Sequence, residues 1–257
     1  MTAGDKSTST ATATVVPLPG ARLGRDPERA IKRGPRRIPA EAVAATQRDR
    51  LYDGLVHTVA EKGYANARVS DICQAAGVTR PAFYALFEGK DDAFLATYRH
   101  GISVVLDMME QAYRDAGQWR DGAREALRVL LEVLASVPAF ATMALVEIDA
   151  VGPAARREQD RVLRRFDRFF ADAPAPAACP DLDELVAGVV GGIYAVLQRH
   201  IAAGRVRQLP ELLPGLTYFM TVPYLGPEQA GREAVRAGEP IGAAIAAPCR
   251  QPGADHA

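Results

Sequence analysis

The chain has 257 residues, 48% hydrophobic and 24% charged, which suits a globular protein with a substantial core and excludes a disordered or fibrous one. Its formal net charge of zero argues at first against a nucleic-acid partner. The distribution reverses that: residues 1–100 carry 15 Lys and Arg against 11 Asp and Glu (net +4), and residues 101–257 carry 16 against 20 (net −4), a basic front on an acidic remainder.

In chain order, residues 1–38 are rich in Thr, Ser, Ala, Gly and Pro without periodicity and are expected to be disordered. No signal-peptide core is present, because Val15-Val16 runs into Pro17 and Pro19. Arg22, Arg25, Arg29, Lys32, Arg33, Arg36 and Arg37 outnumber the acids of this stretch. It is either a solubilising tail or an arm that follows phosphates or enters a minor groove. A first helix is predicted from about Pro39 to Lys62, with Leu51, Leu55 and Val59 on one face and Gly63 as its stop.

Residues 69–90, VSDICQAAGVTRPAFYALFEGK, read as two short helices, Val69–Ala76 and Arg80–Phe87, joined by the turn Gly77-Val78-Thr79. Ile72, Ala75, Val78, Phe83 and Phe87 are spaced to share an apolar seam, which leaves Arg80, Pro81, Ala82 and Tyr84 near the exposed start of the second helix. That is a helix-turn-helix, and its second helix is suited to the DNA major groove. Thr79 can cap that helix and meet a phosphate with the same hydroxyl. Arg80 can take guanine O6 and N7 together, or serve as a phosphate contact. Pro81 and Ala82 offer apolar contact, and Ser70 faces out from the first short helix.

A long helix, Lys90 to about Ala116, opens with acids at its N-terminus that suit the macrodipole. Further helices are predicted at Trp119–Ser136, Pro138–Ala150, Pro153–Ala171, Leu182–Ala203 and Leu209–Leu225, with a short one at Pro227–Ala237 and a disordered tail after Gly238. The fold class is therefore all-α: a helix-turn-helix domain over residues 39–89 and a larger helical domain over residues 90–237. The longest apolar run, Leu185–Leu197, is shorter than the roughly 17–25 residues a bilayer needs, so no membrane is expected. Cys73, Cys179 and Cys249 form neither a disulfide framework nor a metal-ligand spacing, which suits a reducing cytoplasm.

The string GYANARVSDICQAAGVTRPAFYALFEGKDDAF resembles the DNA-binding domain of the tetracycline-repressor (TetR/AcrR-type) transcriptional regulators. Its marks are Gly63-Tyr64, Asp71-Ile72, Ala76-Gly77-Val78-Thr79, Phe83-Tyr84, Phe87 and Lys90, within a match over about residues 42–98. The resemblance implies that Tyr84 and Lys90 contact phosphates and that the larger domain dimerises and binds a ligand. One departure is Ala67-Arg68, where the family often has two threonines; Arg68 then supplies a longer, charged phosphate contact.

In the larger domain, Leu182–Ala203 and Leu209–Leu225 resemble the family's dimerisation helices, with Gly188, Gly191, Gly192, Tyr194, Leu197 and Phe219 as interface candidates. Two-fold symmetry would set two heads about 34–36 Å apart on a palindromic operator. Candidate ligand contacts are Met108, Met109, Tyr113, Trp119, Phe140, Met143, Phe166 and Phe170, with Glu147 as a polar anchor, although aromatic and Met residues at helical spacing are also ordinary core. Catalytic motifs are absent: there is no G-x-S-x-G, no H-E-x-x-H and no phosphate-binding glycine loop, and no metal or cofactor is implied. The reading is a homodimeric regulator, in this family most often a repressor, that binds double-stranded DNA and is released by a small apolar or amphipathic ligand. Its rival is a regulator without an inducer, controlled by a protein partner or by abundance.

Overall fold

The computed structural model describes residues 17–25, 39–176, 179 and 181–239, and among them there are helices and connecting turns but no strand. The expected tail beyond Gly238 lies outside these residues from position 240 onward, as do residues 1–16 and 26–38. Residues 17–25 correct the expectation of a disordered start, because they are seated on the protein and partly buried.

Three helices form the head: α1 (Ala40–Lys62), α2 (Val69–Ala76) and α3 (Arg80–Tyr84). The four-residue recurrence on α1 buries Leu51, Leu55 and Val59, and Val56 joins them. These side chains receive Ile72 of α2 and Phe83 of α3, both fully buried, with Val78 and Phe87 at the margin. Truncating such a buried phenylalanine to alanine costs about 3–5 kcal/mol, so the seam holds the two short helices in place. Helix α3 is shorter than expected. It ends at Tyr84, and Leu86 and Phe87 follow in turns whose N–H groups both bond back to the Phe83 carbonyl.

The body contains α4 (Lys90–Arg114), α5 (Trp119–Ser136), α6 (Pro138–Leu145), α7 (Pro153–Leu163), α8 (Leu182–Ala202) and α9 (Leu213–Gly238). Helices α5 and α6 meet at 107°, where Pro138 removes a donor and restarts the chain after Val137. Two predicted α-helical stretches are instead tighter 3-10 turns, Glu147–Ala150 and Arg164–Phe170, and a third 3-10 turn, Val206–Leu212, takes in the start of the helix predicted from Leu209. The predicted break before Pro227 appears as a kink in α9, with Gly226 at φ 74° and ψ 168°. Helix α4 begins inside the head, where Ala93 and Phe94 are buried, and continues into the body, packing chiefly on α5.

Helix α8 corrects the bilayer estimate: its 21 residues are long and apolar enough to cross a membrane. The reason lies in packing. Val186, Val189, Val190, Ile193, Leu197 and Ile201 are buried in the body, whereas Ala187, Gly188 and Ala195 lie on an uncovered side.

Candidate nucleic-acid interface and apolar cavity

The start of α2 is organised by Asp71, whose Oδ2 accepts the Arg68 N–H at 3.1 Å and pairs with Lys62 Nζ at 3.3 Å. That backbone hydrogen bond, with Lys62 and Arg68 adding to it, holds the Asp71 carboxyl below its ordinary range. Arg68 and Ser70 are exposed beside it, while Ala67 is buried and contributes its carbonyl to the interior. Gly77 closes α2 in the left-handed conformation, at φ 60° and ψ 38°, which explains a glycine at the turn. Thr79 then caps α3, its Oγ1 accepting the Ala82 N–H at 3.4 Å, and Pro81 sits in the first turn, where its missing N–H costs nothing.

With Phe83 anchoring α3 from below, Thr79, Arg80, Pro81 and Tyr84 are exposed and Ala82 is half-buried. The Tyr84 ring stands edge-on to Phe83, at 5.3 Å between centroids. Arg80 has no acidic partner among the described residues, so its guanidinium is available to a ligand. Lys90 is more committed. Its Nζ donates to the carbonyls of Tyr64 (2.8 Å) and Ala67 (3.0 Å) and lies 4.1 Å from the centre of the Tyr64 ring.

Tyr64 also joins the head to the body. Its N–H donates to Glu147 Oε2 at 2.6 Å, and its hydroxyl donates to Asp91 at the start of α4. Burial, reinforced by Asp91, pushes the Tyr64 phenol well above its ordinary range.

An apolar cavity of about 90 Å³ lies in the body. Its walls include Tyr98, Ile102, Val105 and Met109 of α4, Leu127 and Leu130 of α5, Leu145 of α6, Phe166 and Phe170, and Ile193, Tyr194 and Leu197 of α8. Polar groups on the walls are few. Tyr194 donates to the Leu145 carbonyl at 3.2 Å and accepts from Gln159, and the Tyr98 hydroxyl has no hydrogen-bond partner among the described residues. Burial raises both phenols above their ordinary range, Tyr194 to about 12, so both are neutral donors at physiological pH.

Residues 51–97 match the family model described as bacterial regulatory proteins, tetR family. Over its head, the chain is similar to the tetR family. No curated protein matches the sequence. Among solved structures, the fatty acid degradation regulator FadR from Bacillus halodurans is similar in fold, with a TM-score of 0.59 at 18% identity over 69% of this chain and 98% of that one. The transcriptional regulator FadR from Bacillus subtilis, in complex with stearoyl-CoA, has a TM-score of 0.59 at 16% identity over 68% and 97%. A TetR family transcription regulator from Marinobacter aquaeolei VT8 has a TM-score of 0.52 at 17% identity over 78% and 98%.

Three of the expected ligand contacts line the cavity: Met109, Phe166 and Phe170. The others serve packing or tie elements together. Phe140 and Met143 are fully buried, and Phe140 fills the space beside Gly101. Trp119 donates its indole N–H to the Phe169 carbonyl at 2.9 Å, and Tyr113 donates to Asp172 at 3.1 Å. Met108 is half-buried outside the cavity, and Glu147 is bound to the Tyr64 N–H instead of facing a ligand. The missed wall residues were signalled by the spacing Tyr98, Ile102, Val105, Met109, one continuous face of α4.

The interface candidates also divide. Tyr194 and Leu197 point to the cavity, which corrects their assignment to a subunit contact. Gly192 is met by the Phe219 ring, 2.7 Å from where a Cβ would stand, so these two residues pack together within one chain. Gly188 and Gly191 have nothing within 4 Å of that position, and Tyr218 and Phe219 remain exposed.

Proposed function

We propose that the chain acts as a homodimeric repressor on a palindromic operator and is released by a small apolar or amphipathic ligand. The observation that carries this reading is that one helix, α4, both walls the apolar cavity and roots in the head through Lys90. A ligand can regulate only by binding one head arrangement better than another, and α4 makes each arrangement felt in the cavity. The nearly all-apolar lining favours a long acyl chain, and the stearoyl-CoA bound to a protein of similar fold supports that class. The free Tyr98 hydroxyl is the polar group a ligand's acceptor would meet.

The proposed head is residues 39–89 and the proposed body residues 90–237. On the head, Arg80 reads bases, with Pro81 and Ala82 against a thymine methyl, while Arg68, Ser70, Thr79, Tyr84 and the remaining Lys90 donor hold phosphates. The uncovered faces of α8 and α9 supply the contact with a second copy. Such a protein works where the operator is, in the cytoplasm.

The test is a melting experiment with stearate and stearoyl-CoA, followed by binding of the protein to genomic fragments selected on it. At a ligand concentration about 100 times Kd, stabilisation is about 2.7 kcal/mol, and the same ligand should release the fragments. Unchanged melting with both compounds would count against an acyl ligand. Fragments retained at saturating, stabilising ligand would count against release.

A further inference from the structure

Residues 17–25, PLPGARLGR, belong to no helix, yet they are tied down along their length. Leu18, Pro19, Gly20 and Gly24 are buried. The Gly20 N–H donates to Asp53 Oδ1 at 2.8 Å, and Asp53 is itself buried on α1. Gly20 has φ 83°, and a Cβ there would run into Val56 of α1 and approach Val137 of the body to 3.6 Å. Further along, the Arg22 carbonyl meets His57 Nε2 at 3.0 Å. Arg50 of α1 then donates from Nε to the Gly24 carbonyl at 2.9 Å and from Nη2 to the Gly77 carbonyl at 3.3 Å. A Cβ on Gly24 would stand 2.9 Å from the Ala75 carbonyl oxygen, so the strap presses directly on the end of α2.

The strap therefore crosses α1 and finishes at the turn of the helix-turn-helix. There the stem of Arg25 lies over Gly77, its Cγ 2.8 Å and its Nε 3.2 Å from where a Gly77 Cβ would be. Gly77 stands two residues before Thr79, the cap of α3. Arg25 is exposed and has no acidic partner among the described residues. A solubilising tail has no need of a glycine N–H bound to a buried carboxylate, nor of an arginine spent on its carbonyl and on that of the turn. These contacts pin one cation beside the helix that enters the groove.

We propose that residues 17–25 are a built part of the DNA-binding head and that Arg25 is a phosphate contact at the turn before α3. The proposal rests on the DNA-facing reading of α3. A phosphate contact carries no sequence information, so it adds affinity to every duplex and contributes about 0.9 to the slope of log K against log salt.

The experiment measures binding of the full chain to a mixed-sequence DNA duplex across a KCl series. Arg25→Ala is expected to lower the slope by about 0.9 with an unchanged melting temperature, and Arg25→Lys to retain the slope. Gly20→Val should unseat the strap, lowering both the melting temperature and the slope. If Tyr84→Phe weakens binding while Arg25→Ala leaves affinity and slope unchanged, the strap is structural only and the proposal is overturned. If neither substitution changes binding, the reading of α3 has failed, and the proposal with it.

Discussion

Lys90 shows how one side chain can hold the head together and still keep a donor for the proposed contact with DNA. An ammonium has three donors; the carbonyls of Tyr64 and Ala67 take two, which leaves one for a phosphate. Hydrogen bonds to a charged group contribute roughly 1.5–3 kcal/mol, and a cation over the face of a ring about 0.5–2 more. Lys90→Met should therefore cost about 2 kcal/mol, lowering the melting temperature by roughly 4–8 °C, and should weaken binding to every duplex. Arg80→Ala makes the contrast: with no partner to lose, its stability stays within about 0.5 kcal/mol, while discrimination at one base pair falls by about 1–3 kcal/mol. Calorimetry and binding to a selected fragment with single base changes separate the two, and a thermally silent Lys90→Met would refute the structural role. Much of this was legible in the sequence, since the departure at Ala67-Arg68 and the marker Lys90 were both visible. What the sequence could not show is that Ala67 goes inward and lends its carbonyl to Lys90.

At the scale of elements, α4 is fastened to α7 by Glu158, a buried carboxylate that pairs with Arg99 at 3.1 Å and also with Arg161. Burial alone would raise the Glu158 carboxyl, but Arg99 and Arg161 outweigh it and hold it below its ordinary range. A folded-state value depressed in this way gives stability that is fully present above the unfolded value, about 4.3 for glutamate, and is lost as pH falls through the lower folded value. Glu158→Gln should therefore cost about 2 kcal/mol at pH 7. The gap from the native chain should narrow below about pH 4, as acid unfolding at a series of pH values will show. A gap that is constant with pH would mean that the pair contributes nothing through charge. Helix positions were readable because apolar spacing shows which face turns inward. Which inward face borders a cavity was not, since a wall and a core demand the same residues: Ile102 and Val105 line the space, whereas Phe140 and Met143 fill theirs. The 3-10 turns at Glu147–Ala150 and Arg164–Phe170 were missed for a related reason, because their composition is helical and the tightening comes from tertiary packing.

For the whole molecule, the decisive surface is the one a single chain leaves uncovered. Gly188 and Gly191 open onto empty space within the protomer, so larger side chains there meet nothing of their own chain. Replacing a helical glycine with a better helix former stabilises by up to about 1 kcal/mol, so Gly188→Glu should fold at least as well as the native chain. On the uncovered face of α8, however, two such glutamates related by a dyad would set like charges against each other where small residues otherwise let two backbones approach. The expected result is a monomer by light scattering with an unchanged helical spectrum; a stable dimer would place the contact elsewhere. The functional consequence follows from α3 itself. If α3 is the recognition helix proposed, its five residues reach too few base edges to single out a site alone, and specificity would depend on two heads held at one helical turn. The Gly188→Glu monomer should thus bind a selected operator little better than mixed-sequence duplex, while Arg80 and Lys90, untouched, still hold both.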